Sequence, residues 1–443
     1  MNKLNKKNIS DDFKGVEYKI DWTGEIFNGS NNNKYILIKR IGYGSYSSVW
    51  LTYKLNNNNK SNNIYAIKIH NTGDIKEGLK EIKIYKKFKE LKIPNAINCV
   101  DEFVINKTTN KNTSKHVCIV LDLYACSLYD LINSGKYKNG LDIDLVINIT
   151  KQILESLQKM HENGIIHTDI KPENILLSGI NNDNKKILDN IKNKIGLKSI
   201  KKYIEKNIEL FSDSSDDYTS SSYDSDESSS ICSQKQDEDE ISLLSIDEDD
   251  YDFSSSDINN LSESNEEPDE EPDEELINDD YLKNPKIVIT DLGTCEQKNE
   301  KQKKSIQTKY YKSPEVLLRL GYDSKSDIWA LGCTIYELIT GKILFDTDDE
   351  RDEQIRTHLK KIIEISGPIP DEMINKSYMK EAYFTKDNRL KKTQKFTNSI
   401  NKLSSLGKTD YHKKFIQIVC NMLQTSSEKR PSSKSCLEFI KSN

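Results

Sequence analysis

Nowhere in the 443 residues does an apolar run approach the length of about eighteen that a membrane-spanning helix needs. The first residues, Met-Asn-Lys-Leu-Asn-Lys-Lys-Asn, offer no apolar stretch that could serve as a secretory signal. An intracellular protein without a membrane partner is therefore expected, its compartment left open between cytoplasm and nucleus. Eight cysteines occur, at 99, 118, 126, 232, 295, 333, 420 and 436, and no two of them form a Cys-x-x-Cys pair. Most stand in apolar surroundings, which favours reduced core thiols over a disulfide framework. Apolar residues are scarce as well, at 35%. A chain of this length and composition does not pack throughout, so a two-part core with tails or an insert is expected.

What the chain does have is charge, unevenly placed. Ser212 to Asp280 carries 27 Asp and Glu against the single Lys235, a net −26, so with −6 overall the rest of the chain stands at +20. Self-repulsion and few apolar side chains leave such a stretch unable to offset the entropy of folding, and disorder is expected there. Three roles stay open for it: a passive linker, a docking segment for basic partners, or an intramolecular cover for the basic core. Residues 1–20, rich in Lys and Asn, read as a tail. Asn56 to Asn59 read as loop filler.

The stretch that organises the rest is Ile165 to Leu177, Ile-Ile-His-Thr-Asp-Ile-Lys-Pro-Glu-Asn-Ile-Leu-Leu. Apolar flanks hold Asp169, Lys171 and Asn174 on a short polar loop. Upstream, Tyr35 to Leu51 reads as a strand, a glycine turn and a second strand, with Gly42 and Gly44 able to let a backbone approach phosphates. A plain hairpin needs glycines too, so the turn alone decides nothing. Lys68 lies in Tyr-Ala-Ile-Lys-Ile, where the ordinary expectation is a lysine facing water. Gly78 to Leu91 shows near-helical spacing of Leu79, Ile82, Ile84, Tyr85 and Phe88, and carries Glu81. Val117 to Leu123 reads as a strand, and Ile143 to Asn163 as a long buried helix ending at Gly164.

Asp-x-Lys-x-x-Asn is the spacing of the protein-kinase catalytic loop, and the chain resembles that family along most of its length. The resemblance implies an α+β, bilobal fold with a small β-rich N-lobe (21–124) and a larger helical C-lobe in two parts (125–180 and 285–443), split by a mostly disordered insert (181–284). It implies ATP in the cleft, Mg²⁺, and transfer of the γ-phosphoryl to Ser or Thr of a protein substrate. By the same likeness Asp169 positions the acceptor hydroxyl and Lys171 counters phosphate charge. Asn174 and Asp291, the latter in Asp-Leu-Gly, take the metal, whose hardness suits oxygen donors. Thr308 bonds the catalytic Asp and Lys. Ile41, Gly42, Tyr43, Gly44, Ser45, Tyr46, Ser47, Ser48 and Val49 cover the nucleotide, Lys68 and its partner Glu81 hold its phosphates, and the backbone at Asp122 and Tyr124 meets adenine beside Leu121. His167, Glu315, Asp327 and Arg430 are structural.

Three features narrow the likeness. Thr168 stands where most kinases have Arg, Ser47 and Trp50 follow the glycines, and a large insert precedes Asp-Leu-Gly; all are similar to the serine/arginine-rich splicing-factor protein kinases. That implies Arg/Ser-rich substrates, docked in an acidic groove for which Asp346, Asp348, Asp349, Glu350, Asp352, Glu353 and Glu364 are candidates. Lys312 and Pro314 depart from that family's pattern, and the basic remainder of the chain argues for acidic substrates or non-specific nucleic-acid affinity instead. A threonine cannot pair with an activation-loop phosphate as an arginine does, so no such phosphorylation is expected to be needed. A pseudokinase scaffold is the rival from another class; no specific nucleic acid is expected.

Overall fold

The computed structural model describes residues 20–44, 46–55, 63–108, 113–192, 194, 197–207, 276–298, 305–347, 351–392 and 405–442, the side chains of 351–353 excepted. Residues 1–19, Ser45, the Asn56–Asn59 loop, the acidic run 208–275 and the candidates Asp348, Asp349 and Glu350 lie outside the described residues, as do the side chains of Asp352 and Glu353.

Six antiparallel strands form the small lobe, in the order β1-β2-β3-β4-β6-β5: β1 (Ile26–Asn28), β2 (Lys34–Tyr43), β3 (Ser47–Lys54), β4 (Ile64–His70), β5 (Cys99–Thr108) and β6 (Thr113–Asp122). Alternation along each strand sorts the side chains onto two faces. Tyr35, Leu37, Trp50, Ile67, Ile69, Cys118 and Val120 pack with Trp22 and Phe27 on one. The opposite face carries Val117 and the cross-strand pairs Ala66–Leu121 and Lys68–Ile119 of β4 and β6. Helix α1 (Ile75–Leu91) packs there through Ile82, Tyr85 and Phe88. Its buried stripe is Gly78, Glu81, Ile82, Tyr85 and Phe88; Leu79, expected inside, is 44% exposed because it falls about 100° from Gly78 around the helix. Gly78 is forced by contact, since a Cβ there would meet Val117 at 2.9 Å and the His70 ring at 3.0 Å.

Beyond β6 the chain continues through β7 (Cys126–Ser127), α2 (Leu128–Ile132), α3 (Ile143–Glu162), β8 (Ile165–Ile166) and β9 (Ile175–Leu177). Of the expected insert 181–284, the first part is ordered structure: α4 (Asn182–Lys192) and α5 (Leu197–Lys206). Ile187, Ile191, Ile200 and Ile204 of these helices cover Ile36, Ile38 and Leu51 of the sheet. Tyr35 to Ile38 are all fully buried, the mark of a strand covered on both faces. The insert expected to be mostly disordered over 181–284 is thus ordered at 182–192 and 197–206, where isoleucines four residues apart give each short helix a side to bury. Replacing Ile191, 1% exposed, with Ala should cost about 2 to 4 kcal/mol in urea unfolding. A change within about 0.5 kcal/mol, as for a surface site, would contradict this packing.

The remainder is α6 (Asp280–Lys283), β10 (Ile287–Ile289), β11 (Glu296–Gln297), α7 (Pro314–Leu317), α8 (Lys325–Thr340), α9 (Arg351–Ser366), α10 (Asp371–Lys376), α11 (Lys380–Tyr383), α12 (Asp410–Met422) and α13 (Ser433–Ser442). One large apolar cluster joins α3, α8, α12 and α13 and reaches up to α1, so the two lobes share a core. Strand β9 lies between β10 and β7, and β8 pairs with β11. These short pairings set the two polar loops that follow β8 and β10 side by side. Among the described residues no helix is long and apolar enough to cross a membrane.

Candidate active site

The cleft is built from the sheet downward. Gly42 lies opposite Val49 across the β2–β3 turn, and Gly44 N donates to Ser47 O at 2.8 Å. A Cβ at Gly42 would meet nothing closer than 3.7 Å and one at Gly44 nothing within 4 Å. The chain itself therefore does not demand glycine at either place, which fits a turn kept bare for a phosphate-bearing ligand. Ile41, Tyr43 and Tyr46 are exposed on it, and Ser48 Oγ accepts from Trp50 Nε1.

Strand parity points Lys68 at α1, where its Nζ lies 3.0 Å from Glu81 and 3.1 Å from Asp291 Oδ1. Burial opposes the ammonium, but the two carboxylates outweigh it and hold Lys68 above its ordinary pKa. Lys68 in turn holds Asp291 below the usual carboxylate range. Burial raises Glu81, yet Lys68 and His70 bring it below its ordinary value; Tyr85 OH also donates to it at 3.1 Å. Gly293 follows closely, for a Cβ there would approach Glu81 to 3.3 Å. At the edge of β6, Asp122 N donates to Asn98 O, and Leu121 and Ala66 lie side by side.

Below, Asp169 is held from several sides. Thr308 donates to its Oδ1 through both N (2.9 Å) and Oγ1 (2.7 Å). Asn174 Nδ2 donates to Oδ2 at 3.0 Å and to the Asp169 carbonyl at 2.8 Å, while Lys171 Nζ lies 3.2 Å from Oδ2. Lys171 also donates to Thr308 Oγ1 at 2.7 Å. Although burial lowers Lys171, the Asp169 charge raises it, and the net shift is upward. His167 Nδ1 accepts from Asp169 N (3.3 Å), which leaves Nε2 as the protonated nitrogen, donating to Thr290 O (3.0 Å). Both ring nitrogens are thus spent on backbone, in keeping with a structural place for this histidine.

Asp327, fully buried on α8, accepts from His167 N and Thr168 N, each at 2.9 Å. Thr168 sits at φ 73°, strained for a β-branched residue, and its hydroxyl donates to Thr294 O. Glu315 and Arg430 form a buried two-pronged pair with both contacts at 2.6 Å. Three further residues hold the site. His161 bonds Asp327 Oδ2 at 2.9 Å, Thr294 returns a bond to His167 O, and Gln307 ties Ser326 to Ser313. The Thr294 hydroxyl bonds only to backbone, which leaves no spacing to read.

Under the catalytic loop, Tyr311 OH donates to Glu337 Oε2 at 2.6 Å. Burial raises Glu337 to about 7 despite this bond, with Glu173 adding to the rise. Between its ordinary value and about 7 the folded chain keeps a proton that the unfolded chain has lost. The contribution is therefore complete below the ordinary value and vanishes as pH climbs through about 7; it is worth up to about 3 kcal/mol. Glu337→Gln, which keeps an acceptor for Tyr311, should melt close to wild type at pH 5 and several degrees above it at pH 8. An equal difference at both pH values would contradict the assignment.

Oxygen donors fit a hard cation at the cleft floor. Both amide hydrogens of Asn174 are turned to Asp169, leaving Oδ1 for a metal, and Asp291 follows Thr290, whose N donates to the Asn174 carbonyl at 3.0 Å. A divalent ion held by these two would supply neutralising charge for nucleotide phosphates.

A two-lobed fold with a bare glycine turn, a lysine braced by two carboxylates and a clamped Asp-Lys-Asn loop defines a phosphotransferase of the protein-kinase class. The protein kinase domain family matches residues 35–190 and 276–439, and the chain belongs to it. It is a serine/threonine protein kinase, using ATP, a divalent metal and protein substrates. It is 30% identical over 430 residues to a putative serine/threonine-protein kinase of Acanthamoeba polyphaga mimivirus, covering 80% of this chain and 75% of that one. It is also similar to serine/threonine-protein kinase SRPK of Physarum polycephalum, at 27% over 393 residues, 87% of this chain and 78% of the other. A third relative is serine/threonine-protein kinase spk-1 of Caenorhabditis elegans, at 26% over 465 residues, 86% of this chain and 44% of the other.

Proposed function

We propose that the chain is a catalytically competent Ser/Thr kinase that works with Mg²⁺ and without activation-loop phosphorylation. The observation that carries this is the Thr308 clamp: the end of the activation segment is bonded to Asp169 and Lys171 through the threonine's own N–H and hydroxyl. Gln307 and the Thr168–Thr294 pair brace the same segment through neutral groups. In the reaction Asp169 orients the acceptor hydroxyl and takes its proton, and Lys171 faces the charge that grows on the transferred group. Lys68, Asp169, Asn174 and Asp291 all stand at the cleft, which favours an enzyme over a pseudokinase scaffold. Phosphatase treatment of purified protein should leave at least about half of its Mg²⁺-ATP-dependent activity on a serine peptide. Loss of nearly all of it would overturn the proposal.

The substrate class we infer from the likeness to serine/arginine-rich splicing-factor kinases is a serine in an Arg/Ser-rich segment of an intracellular protein. One observation favours the alternative, acidic peptides. Burial and the charges of Lys312, Lys309 and Lys361 together lower His358 to about 3, so the ground just past Thr308 is basic. A peptide panel of Arg/Ser repeats against acidic serine peptides decides: higher kcat/KM on the repeats is expected, and the reverse order would replace this reading by the acidic one.

A further inference from the structure

The ordered start of the insert forms a cavity that catalysis does not use. A pocket of about 890 Å³ lies between β2 and the pair α4–α5. Among the described residues five lysines line it, Lys39, Lys186, Lys194, Lys202 and Lys206, against one acid, Asp183. Lys186 comes from α4, Lys202 and Lys206 from α5, and Lys194 from between them, while Ile191, Ile200 and Ile204 of these helices pack against the sheet. The lysines on α4, on α5 and between them are exposed, and Lys194 lies 5.5 Å over the Tyr203 ring. Such a convergence of like charge is costly unless something anionic offsets it.

The anion is supplied by the chain itself. Asn207, which lines the pocket, is the last described residue before 208–275. On the return, Leu276 accepts a hydrogen bond from Asn182 N at 3.2 Å, next to the lining residue Asp183. The described residues that flank the acidic stretch, Asn207 and Leu276, therefore stand at or beside this cavity. A segment tethered so closely is present at a high effective concentration, which an outside anion must outcompete. Its last thirteen residues, 263–275, carry nine Asp and Glu and no base. They immediately precede Leu276 in sequence, so the reach needed to enter the pocket is short.

We propose that this lysine-lined pocket is the docking site of the chain's own acidic run 263–275. Neither the catalytic nor the nucleotide residues take part.

The full-length chain tests this directly. Lysine acylation at low salt should be slower at Lys194, Lys202 and Lys206 than at Lys198, which lies on the same helix pair outside the pocket, by about threefold or more. In 1 M NaCl, where the screening length is about 3 Å, the protection should vanish. A full-length variant with the nine acids of 263–275 changed to Asn and Gln should lose the protection at low salt as well. A carbodiimide, which joins amine to carboxyl, should link the three lysines to 263–275 in the unaltered chain. Mixing isotopically light and heavy protein should show those links within one molecule. Protection that persists in the neutralised variant, or links that join two copies, would overturn the proposal in favour of another anion or of a second chain. Equal acylation at all four lysines would overturn it outright.

Discussion

Asp169→Asn should lower kcat by about two to four orders of magnitude while leaving the melting temperature within a few degrees of wild type. The change is isosteric, and Oδ1 can still accept from both Thr308 donors at their present 2.9 and 2.7 Å. What is lost is the second oxygen. An amide in its place would turn N–H groups toward Asn174 Nδ2 and Lys171 Nζ, now 3.0 and 3.2 Å from Oδ2. The carboxylate also disappears as the proposed acceptor for the substrate proton. Thr308→Val should fall between the variant and wild type. It removes the hydroxyl bond to Asp169 and the acceptor for Lys171, yet it keeps the backbone bond from residue 308. If the main role of Asp169 were to hold the loop, the two variants would lose stability in step with activity. A catalytic role separates the readouts, with turnover collapsing and the fold intact. Activity of Asp169→Asn within tenfold of wild type would remove the basis for the proposed chemistry.

The site is legible in the sequence because most of its reacting side chains lie on short loops at fixed spacing. Asp169, Lys171 and Asn174 fall within six residues, and the β8–β11 and β9–β10 pairings bring Asp291 to them. Lys68 and Glu81 were harder to read, since nothing local distinguishes them from solvated charges. Strand parity and the stripe of α1 decide the matter, by turning Lys68 inward and burying Glu81 to 1% exposure. The helices α4 and α5 were missed because Lys and Asn dominate residues 181–206. Only the pairs Ile187/Ile191 and Ile200/Ile204 mark an apolar side, and their complement is Ile36 and Ile38, far away in sequence. The four-residue apolar run Tyr35 to Ile38 was the available clue, for a sheet open on one face would alternate. Contacts made by backbone, such as Asp122 with Asn98, leave no residue-type signature at all.

Arg430→Ala should destabilise the chain by about 3 to 5 kcal/mol, more than the loss expected from truncating the buried Ile191. The guanidinium is fully buried, makes both 2.6 Å contacts to Glu315, and donates also to the carbonyls of Gln424 (2.7 Å) and Lys325 (3.1 Å). Its Cζ lies 5.0 Å from the Trp329 ring centre. Truncation therefore strands a buried carboxylate, frees carbonyls and opens a cavity beside an indole at the same time. Arg430→Lys should recover only a fraction, because an ammonium cannot present two parallel donors to Glu315 and reach Gln424 as well. Glu315→Gln should cost less than Arg430→Ala, since the cation keeps its carbonyls and one amide oxygen. The double variant Glu315→Gln/Arg430→Ala should then cost clearly less than the two single losses combined, as nothing charged remains unpaired. Urea unfolding of the four proteins measures that coupling. Additivity within about 0.5 kcal/mol would show that the pair is not what anchors the end of the activation segment to α8. With coupling present, Arg430→Ala should also lose activity out of proportion to the fraction unfolded. Glu315 follows Thr308 by only seven residues, and slack at that anchor passes directly to the clamp on Asp169.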